Sequence, residues 1–526
     1  VTQSTLKKTQ ALHLSRRRFV KGLAAGGVLA LTPAWLQAAV NHQTTVGTAP
    51  VLSGREIDLV IDSTPVNFTG VTKMATTING TIPAPTLRLR EGDEVTIRVT
   101  NKLTVPTSVH WHGIILPYQM DGVPGISYKG IAPGETFTYR FKLQQSGTYW
   151  YHSHTAFQEM KGMYGALIIE PRNGERIKTD RDYVMQLSDW SDEKPMHMLS
   201  KLKMQSSIYN FNQPTFFDFT RDIAALGLQG ALDKRKMWNN MRMGPTDLSD
   251  LSAVTMTYLL NGITPAGNWT GLFKKGECVR LRFINASSST FYDVRIPGLK
   301  LTVVQADGQA VEAVAVDEFR FGPGETYDVL VEPEDDAYTV FAQNIERSGY
   351  ACGTLAIRKG LSSSVPAIDS VKWLTMGDMM GAAMGHGDMN HGDMNHGEMN
   401  HGEMNHGEMN HGEMNHGEMN HGEMKGMDHS KHGEMMGDHE MQESMKASLA
   451  RPSQKVNHAR TEYGPSVDMR VNTPRTNLND PGIGLRQNGR RVLTLADLKS
   501  IDGVLDDRRM PTREIELHLT GNMDRY

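Results

Sequence analysis

Two short segments hold the histidines best spaced for chemistry: His110-Trp111-His112 and His152-Ser153-His154. In an extended strand, residues i and i+2 leave the same face about 6.5–7 Å apart, so each H-x-H presents two imidazoles side by side. Such a pair can bridge neighbouring metal ions. Neutral imidazole accepts copper, zinc, iron or nickel, so ligand type alone leaves the metal open. Aromatic residues flank both pairs, in Trp111 and in Tyr149-Trp150-Tyr151, and one β-excursion separates them. Two pairs in that setting point to a metal centre more strongly than either would alone.

A second ligand set lies further on. An H-G-[DE]-M-N unit repeats every five residues, giving His386 with Met389, His391 with Met394, His396 with Met399, His401 with Met404, His406 with Met409, His411 with Met414, His416 with Met419 and His421 with Met424. The same residue types continue without strict period in His429, His432, Met435, Met436, His439 and Met441. Thioether sulfur is soft and favours Cu(I), whereas imidazole takes Cu(I) or Cu(II), so the array suits copper in both oxidation states. The plain alternative is a solvated low-complexity linker. With glycine in every unit and no apolar periodicity, the segment has nothing to bury, and disorder is expected without a ligand.

The elements that must position the first two pairs read as β-strands. Val95-Thr96-Ile97-Arg98-Val99 and Phe137-Thr138-Tyr139-Arg140-Phe141 alternate with period two, and turns such as Asn79-Gly80 and Pro133-Gly134 punctuate the run. The layout then repeats. Asn79-Gly80, Gly92 to Asn101 and Pro133-Gly134-Glu135-Thr136 return as Asn261-Gly262, Gly276 to Asn285 and Pro323-Gly324-Glu325-Thr326. The expected fold is all-β, with tandem Greek-key β-sandwich domains at 50–172 and 180–360, a disordered Met/His-rich insert at 375–450, and the start of an incomplete third domain at 451–526. Within that last piece, Arg513 to Leu519 alternates like a strand.

A length of 526 residues suits roughly three domains. Lys+Arg of 55 against Asp+Glu of 59 gives a net charge of −4, so no global positive field exists to attract nucleic acid, and that class of partner is set aside. The 2 cysteines, Cys278 and Cys352, exclude a disulfide scaffold or a four-cysteine metal site. Neither has a histidine neighbour, and both read as buried thiols. His197 and His518 read as ordinary strand or surface residues without a partner at ligand spacing. Ser15-Arg16-Arg17-Arg18-Phe19-Val20-Lys21 followed by a weakly apolar run fits a twin-arginine export signal over 1–39, with cleavage near Ala38 or Ala39. That implies the bacterial periplasm and the twin-arginine export machinery as a partner.

Domain 1 resembles the first cupredoxin domain of multicopper oxidases, through Asn79-Gly80, His110 to Gly113, Asp121-Gly122, Pro133 to Thr136, His152 to His154 and Gly162 to Leu167. The copper-resistance branch of periplasmic oxidases resembles the chain best. It shares the export signal, the Met/His-rich insert and Tyr463-Gly464-Pro465-Ser466-Val467-Asp468-Met469. The resemblance implies cupredoxin-like domains and copper as cofactor, with His110 a type 2 ligand and His112, His152 and His154 ligands of the type 3 pair. Asp121 stands where the family keeps an acidic residue for proton delivery to oxygen, a plain turn carboxylate being the alternative. Domain 2, lacking an H-x-H, is implied to be a spacer.

The resemblance also implies motifs that are missing. The type 1 copper segments and the other half of the trinuclear ligand set do not occur in these residues, and the expected explanation is a chain that stops short of them. The function expected of the full-length form is oxidation of Cu(I) or phenol-like donors with reduction of O2 to water. The alternative is a copper-sequestering protein without turnover. Copper ions are the expected partners, O2 joins them in the full-length form, and periplasmic copper carriers are candidates.

Overall fold

The computed structural model describes residues 49–375, 378, 456–464, 467, 470, 477–501 and 515–520. The export signal and the Met/His repeats lie outside the described residues. The first unit comprises β1 (Val51–Ser53), β2 (Glu56–Val66), β3 (Lys73–Ile78), β4 (Ala84–Arg90), β5 (Glu94–Asn101), β6 (His110–His112), β7 (Thr136–Lys142), β8 (Gly147–His152) and β9 (Tyr164–Glu170). They form two sheets, ordered β3-β2-β5-β7 and β1-β4-β9-β8-β6. The sheets pack face to face, because period-two alternation turns Val95, Ile97, Val99, Tyr139 and Phe141 of one sheet toward Leu87, Trp111, Tyr151 and Leu167 of the other.

The second unit holds β10 (Arg181–Trp190), β11 (Thr257–Leu260), β12 (Trp269–Leu272), β13 (Val279–Asn285), β14 (Tyr292–Arg295) and β15 (Leu301–Ala306). It continues with β16 (Gln309–Val316), β17 (Glu318–Phe321), β18 (Thr326–Val331), β19 (Ala337–Asn344) and β20 (Tyr350–Ala356). Its sheets run β11-β10-β13-β18-β15-β16 and β12-β20-β19-β14-β17 around a separate core. Helices α1 (Pro195–Met204) and α2 (Phe216–Asn240) interrupt it. Gly227, at φ 72°, kinks α2, and Thr215 caps it by accepting from the Asp218 amide. The strand periodicity read over 180–360 does not anticipate this helical excursion.

The duplication extends to single hydrogen bonds. The amide of Asn101 donates to the carbonyls of Val105 and Ile131, and that of Asn285 to the carbonyls of Thr290 and Phe321. Asn79 and Asn261 occupy the left-handed region ahead of a glycine, and their side-chain oxygens accept from the Val60 and Gln186 amides. One solution for tying a loop to a strand end thus serves both sandwiches.

The units share a joint. Val66, Ile82, Trp150, Tyr164, Trp190, Leu259 and Ile284 bury one another across it. Beneath lies a polar network in which Thr148 Oγ1 donates to Asp328 at 2.6 Å and Arg282 donates to both, each at 3.0 Å. Residues 477–501 lie along the second sandwich, bridging Val311 to Ser500 and Glu318 to Val492, with Leu493 buried. Residues 515–520 form no strand, contrary to the alternation in the sequence. No ladder partner meets them among the described residues, and Leu517 and Leu519 stay exposed.

Candidate metal centre

β6 pairs antiparallel with β8 so that His110 faces His152 and His112 faces Trp150. Period two sends Trp111 and Tyr151 into the core, where Trp111 is 1% exposed and meets Tyr139 edge-on at 5.3 Å. The opposite face carries the histidines. Side-chain nitrogens of His110, His112 and His152 all lie within 4.8 Å of one another. His112 Nδ1 and His152 Nε2 approach to 3.2 Å. His154 lies two residues beyond β8, its ring centroid 4.7 Å from His110 and 5.1 Å from His152. Its amide is held by Ser108 Oγ at 3.0 Å. The four domain 1 histidines named from sequence therefore sit in one cluster, with His154 the most open to solvent.

Two of the rings already have one nitrogen engaged. His110 Nδ1 donates to the Asp121 carbonyl at 2.7 Å, and His152 Nδ1 contacts Glu159 Oε2 at 2.7 Å. In the neutral tautomer this leaves Nε2 with its lone pair, as a metal ligand needs, and a carboxylate or carbonyl behind the ring is the usual support. Gly122 makes the first contact possible. At φ +81° it takes a conformation that L side chains avoid, and a Cβ there would stand 1.8 Å from the Val109 carbonyl oxygen. Trp150 stacks on His152 at 3.9 Å and 9°, and its Nε1 donates to the Gly324 carbonyl of the second sandwich at 3.2 Å. Gly324, at φ +90°, lets that loop approach the His112 ring, where a Cβ would come within 3.1 Å. A cavity of about 320 Å³ opens between His112, Trp150, Asp307 and Glu325.

The electrostatics favour neutral rings. Burial, followed by the neighbouring imidazoles, pushes His112 down to about 4, and burial followed by His154 pushes His152 down to about 3. His110 is lowered chiefly by burial, against the Asp121 carbonyl bond, and His154 by partial desolvation and then His110. Burial raises the Glu159 carboxyl to about 7, against the pull of His154 and His110. At neutral pH the cluster is a set of uncharged nitrogen donors, a donor set that fits copper or zinc.

Asp121 acts on His110 through its backbone, while its carboxylate Oδ1 lies 3.5 Å from His110 Nδ1 and is partly exposed. Glu159 escapes sequence reading because a lone carboxylate in the 153–163 loop has no periodicity to mark it. The insert ligands from His386 to Met441 lie outside the described residues. Cys352 is buried on β20 and Cys278 half-buried; both are free, and neither joins a histidine cluster among the described residues. His197 is exposed on α1. His518 departs from expectation: it stands with His458 and Glu462, their ligand atoms within 4.8 Å. The contact spans 56 residues between Glu462 and His518, which no local spacing announces.

Comparison with known proteins adds the following. Two family models, each described as "Multicopper oxidase", match residues 60–174 and 181–359, and "Pentapeptide repeats (8 copies)" matches 384–423. The chain is 50% identical to "Copper resistance protein A" of Escherichia coli over 98% of its length and 83% of that protein's. It is 54% identical to "Copper resistance protein A" of Pseudomonas syringae pv. tomato over 97% of its length and 82% of the relative's. It is 31% identical to "Multicopper oxidase MmcO" of Mycobacterium tuberculosis over 63% of its length and 64% of that protein's.

Proposed function

Since the chain belongs to the multicopper oxidase family, we propose that in its full-length form it is a periplasmic, copper-dependent oxidase of copper resistance, exported by the twin-arginine route, whose β6–β8 ladder holds half of a trinuclear copper cluster. Copper is the cofactor that the family implies. His110 takes the type 2 position, and His112, His152 and His154 serve the type 3 pair. The observation that carries this reading is the convergence of three imidazoles within 4.8 Å, two of them with Nδ1 engaged by Asp121 and Glu159.

Copper held by these residues would supply the one-electron chemistry by which the full-length form passes electrons from Cu(I) or a phenol-like donor to O2. The chain's own residues do the rest. Asp121 and Glu159 orient the rings, and Trp150, stacked on His152, shields one side of the cluster from water. Asp121, partly exposed and 3.5 Å from His110 Nδ1, is placed to pass protons inward from solvent. The Met/His repeats favour a second reading in the same protein, sequestration of copper without turnover.

Oxygen uptake by the copper-loaded full-length form on addition of Cu(I), with total copper measured alongside, separates the two. Uptake abolished by His152→Ala supports the oxidase. Copper binding without uptake supports sequestration through the repeats. Uptake that survives His152→Ala would overturn the assignment of the cluster.

A further inference from the structure

Residues 456–464 and 515–520 meet in a second cluster of metal-ligating side chains. His458 precedes a short turn of 3-10 helix (Arg460–Tyr463) that contains Glu462, and His458 Nδ1 lies 2.9 Å from Glu462 Oε2. His518 approaches the same carboxylate from the other segment, its Nδ1 2.8 and 2.9 Å from the two oxygens. The imidazole centroids are 5.3 Å apart. The Ala459 amide donates to Glu462 Oε1 at 2.8 Å and fixes the carboxylate, while Glu516 contacts His518 Nε2 and accepts from the Asn457 amide at 3.2 Å. Glu462 is buried and the two rings are largely shielded.

Among the described residues, nothing apolar accounts for this junction. Ile515, Leu517 and Leu519 are 71%, 82% and 102% exposed, so the 515–520 segment is not held by burial of its hydrophobic residues. Hydrogen bonds and ion pairs alone contribute modestly to ordering two such segments. A metal crosslink contributes far more, because its binding energy becomes ordering energy for both segments. The geometry is close to that of a site. Ligand atoms now 2.8–2.9 Å apart need spread only by about half an ångström to surround an ion bound at about 2.0–2.1 Å.

We propose that His458, Glu462 and His518, with Glu516 holding the His518 ring from its Nε2 side, form a second metal site separate from the β6–β8 cluster, specific for a divalent first-row ion and filled by Cu(II). The set is imidazole and carboxylate with no thiolate or thioether, which disfavours Cu(I). Among divalent ions such N/O sites bind Cu(II) most tightly. Bound metal pins 515–520 to 456–464, just beyond the Met/His repeats in sequence, so that copper binding orders this part of the chain. The proposal is independent of the oxidase reading.

Hydrogen exchange of the full chain, followed by mass spectrometry with and without CuSO4, tests it. Cu(II) should slow exchange in 456–464 and 515–520 together, by about tenfold or more at copper well above Kd. His458→Ala and His518→Ala should each remove the response in both segments, and His112→Ala/His152→Ala should leave it intact. Exchange in β4, β5 and β9 reports folding in the same run, and the wild-type arm alone decides the matter if a variant misfolds. Wild-type exchange unchanged by CuSO4, a response that survives His518→Ala, or a larger response to ZnSO4 than to CuSO4 would overturn the assignment.

Discussion

The two sandwiches end a sheet in the same way and fill that end with different chemistry. In the first, β6 against β8 closes on the pair His110 and His152; in the second, β14 against β19 closes on Tyr292 and Asn344. The second end satisfies itself. Tyr292 donates to the Ser188 carbonyl at 2.9 Å, and the Asn344 amide reaches Tyr258, Glu346 and Ser348. The first end engages one nitrogen of His110 and of His152 from behind and leaves the others facing one another. Each end also keeps a carboxyl raised by burial, Glu159 at about 7 and Glu346 at about 8. On the proposed reading, a duplicated frame becomes a metal centre where its polar atoms are left open, and a spacer where they are closed.

The largest expected effect separates scaffold from chemistry. Trp111→Ala and Phe319→Ala each empty a core position and should each cost about 3–5 kcal/mol in denaturant unfolding. Only Trp111→Ala should also weaken copper binding at the cluster, because its strand carries His110 and His112. Equal loss of that binding in both variants would erase the distinction between the two ends.

Next comes the carboxyl pair. Glu159→Gln should weaken copper binding at the cluster by about 10–100-fold, the usual cost of losing a ligand's supporting partner. Glu346→Gln should leave copper binding unchanged. Competition with a copper chelator measures both, and a matching loss from the two substitutions would contradict the role given to Glu159.

The third contrast is a pair of opposed pH dependences in the metal-free protein. His112 and His152 fall from the ordinary 6.5 to about 4 and about 3, so the unfolded chain takes up protons first. Their contribution is complete above pH 6.5 and is lost as pH falls toward 4 for His112 and toward 3 for His152. Glu346 rises from 4.5 to about 8, so the folded chain keeps a proton that the unfolded chain releases. Its contribution is present below pH 4.5 and is lost as pH rises through 8. Hydrogen exchange should show β6–β8 opening more easily in acid and β19–β20 more easily in base, each by at most about 1.4 kcal/mol per pH unit per proton. His112→Ala/His152→Ala should flatten the first slope and Glu346→Gln the second.

Much of this contrast was legible in the sequence, for identifiable reasons. Strand periodicity fixes which face His110 and His112 share, and the spacing from Asn79 to Asn101 and from Asn261 to Asn285 exposes the duplication. Local pattern does not carry the rest. Glu159 reaches His152 only when the 153–163 loop folds back, held by Gln158 bonded to Thr107 and Ser153. Helix α2 carries a readable capping pair in Thr215 and Asp218, yet its kink at Gly227 breaks the apolar period. His518 has no partner within reach in sequence, and its alternating neighbours suggest a strand that the described residues do not form.

Anomalous diffraction at the copper edge, from crystals of the copper-loaded protein, tests the central claim most directly. The account predicts copper peaks between β6 and β8, at bonding distance from nitrogens of His110, His112, His152 and His154, and none at the β14–β19 end. Copper found only elsewhere in the molecule, with the β6–β8 histidines still hydrogen-bonded to one another, would contradict it.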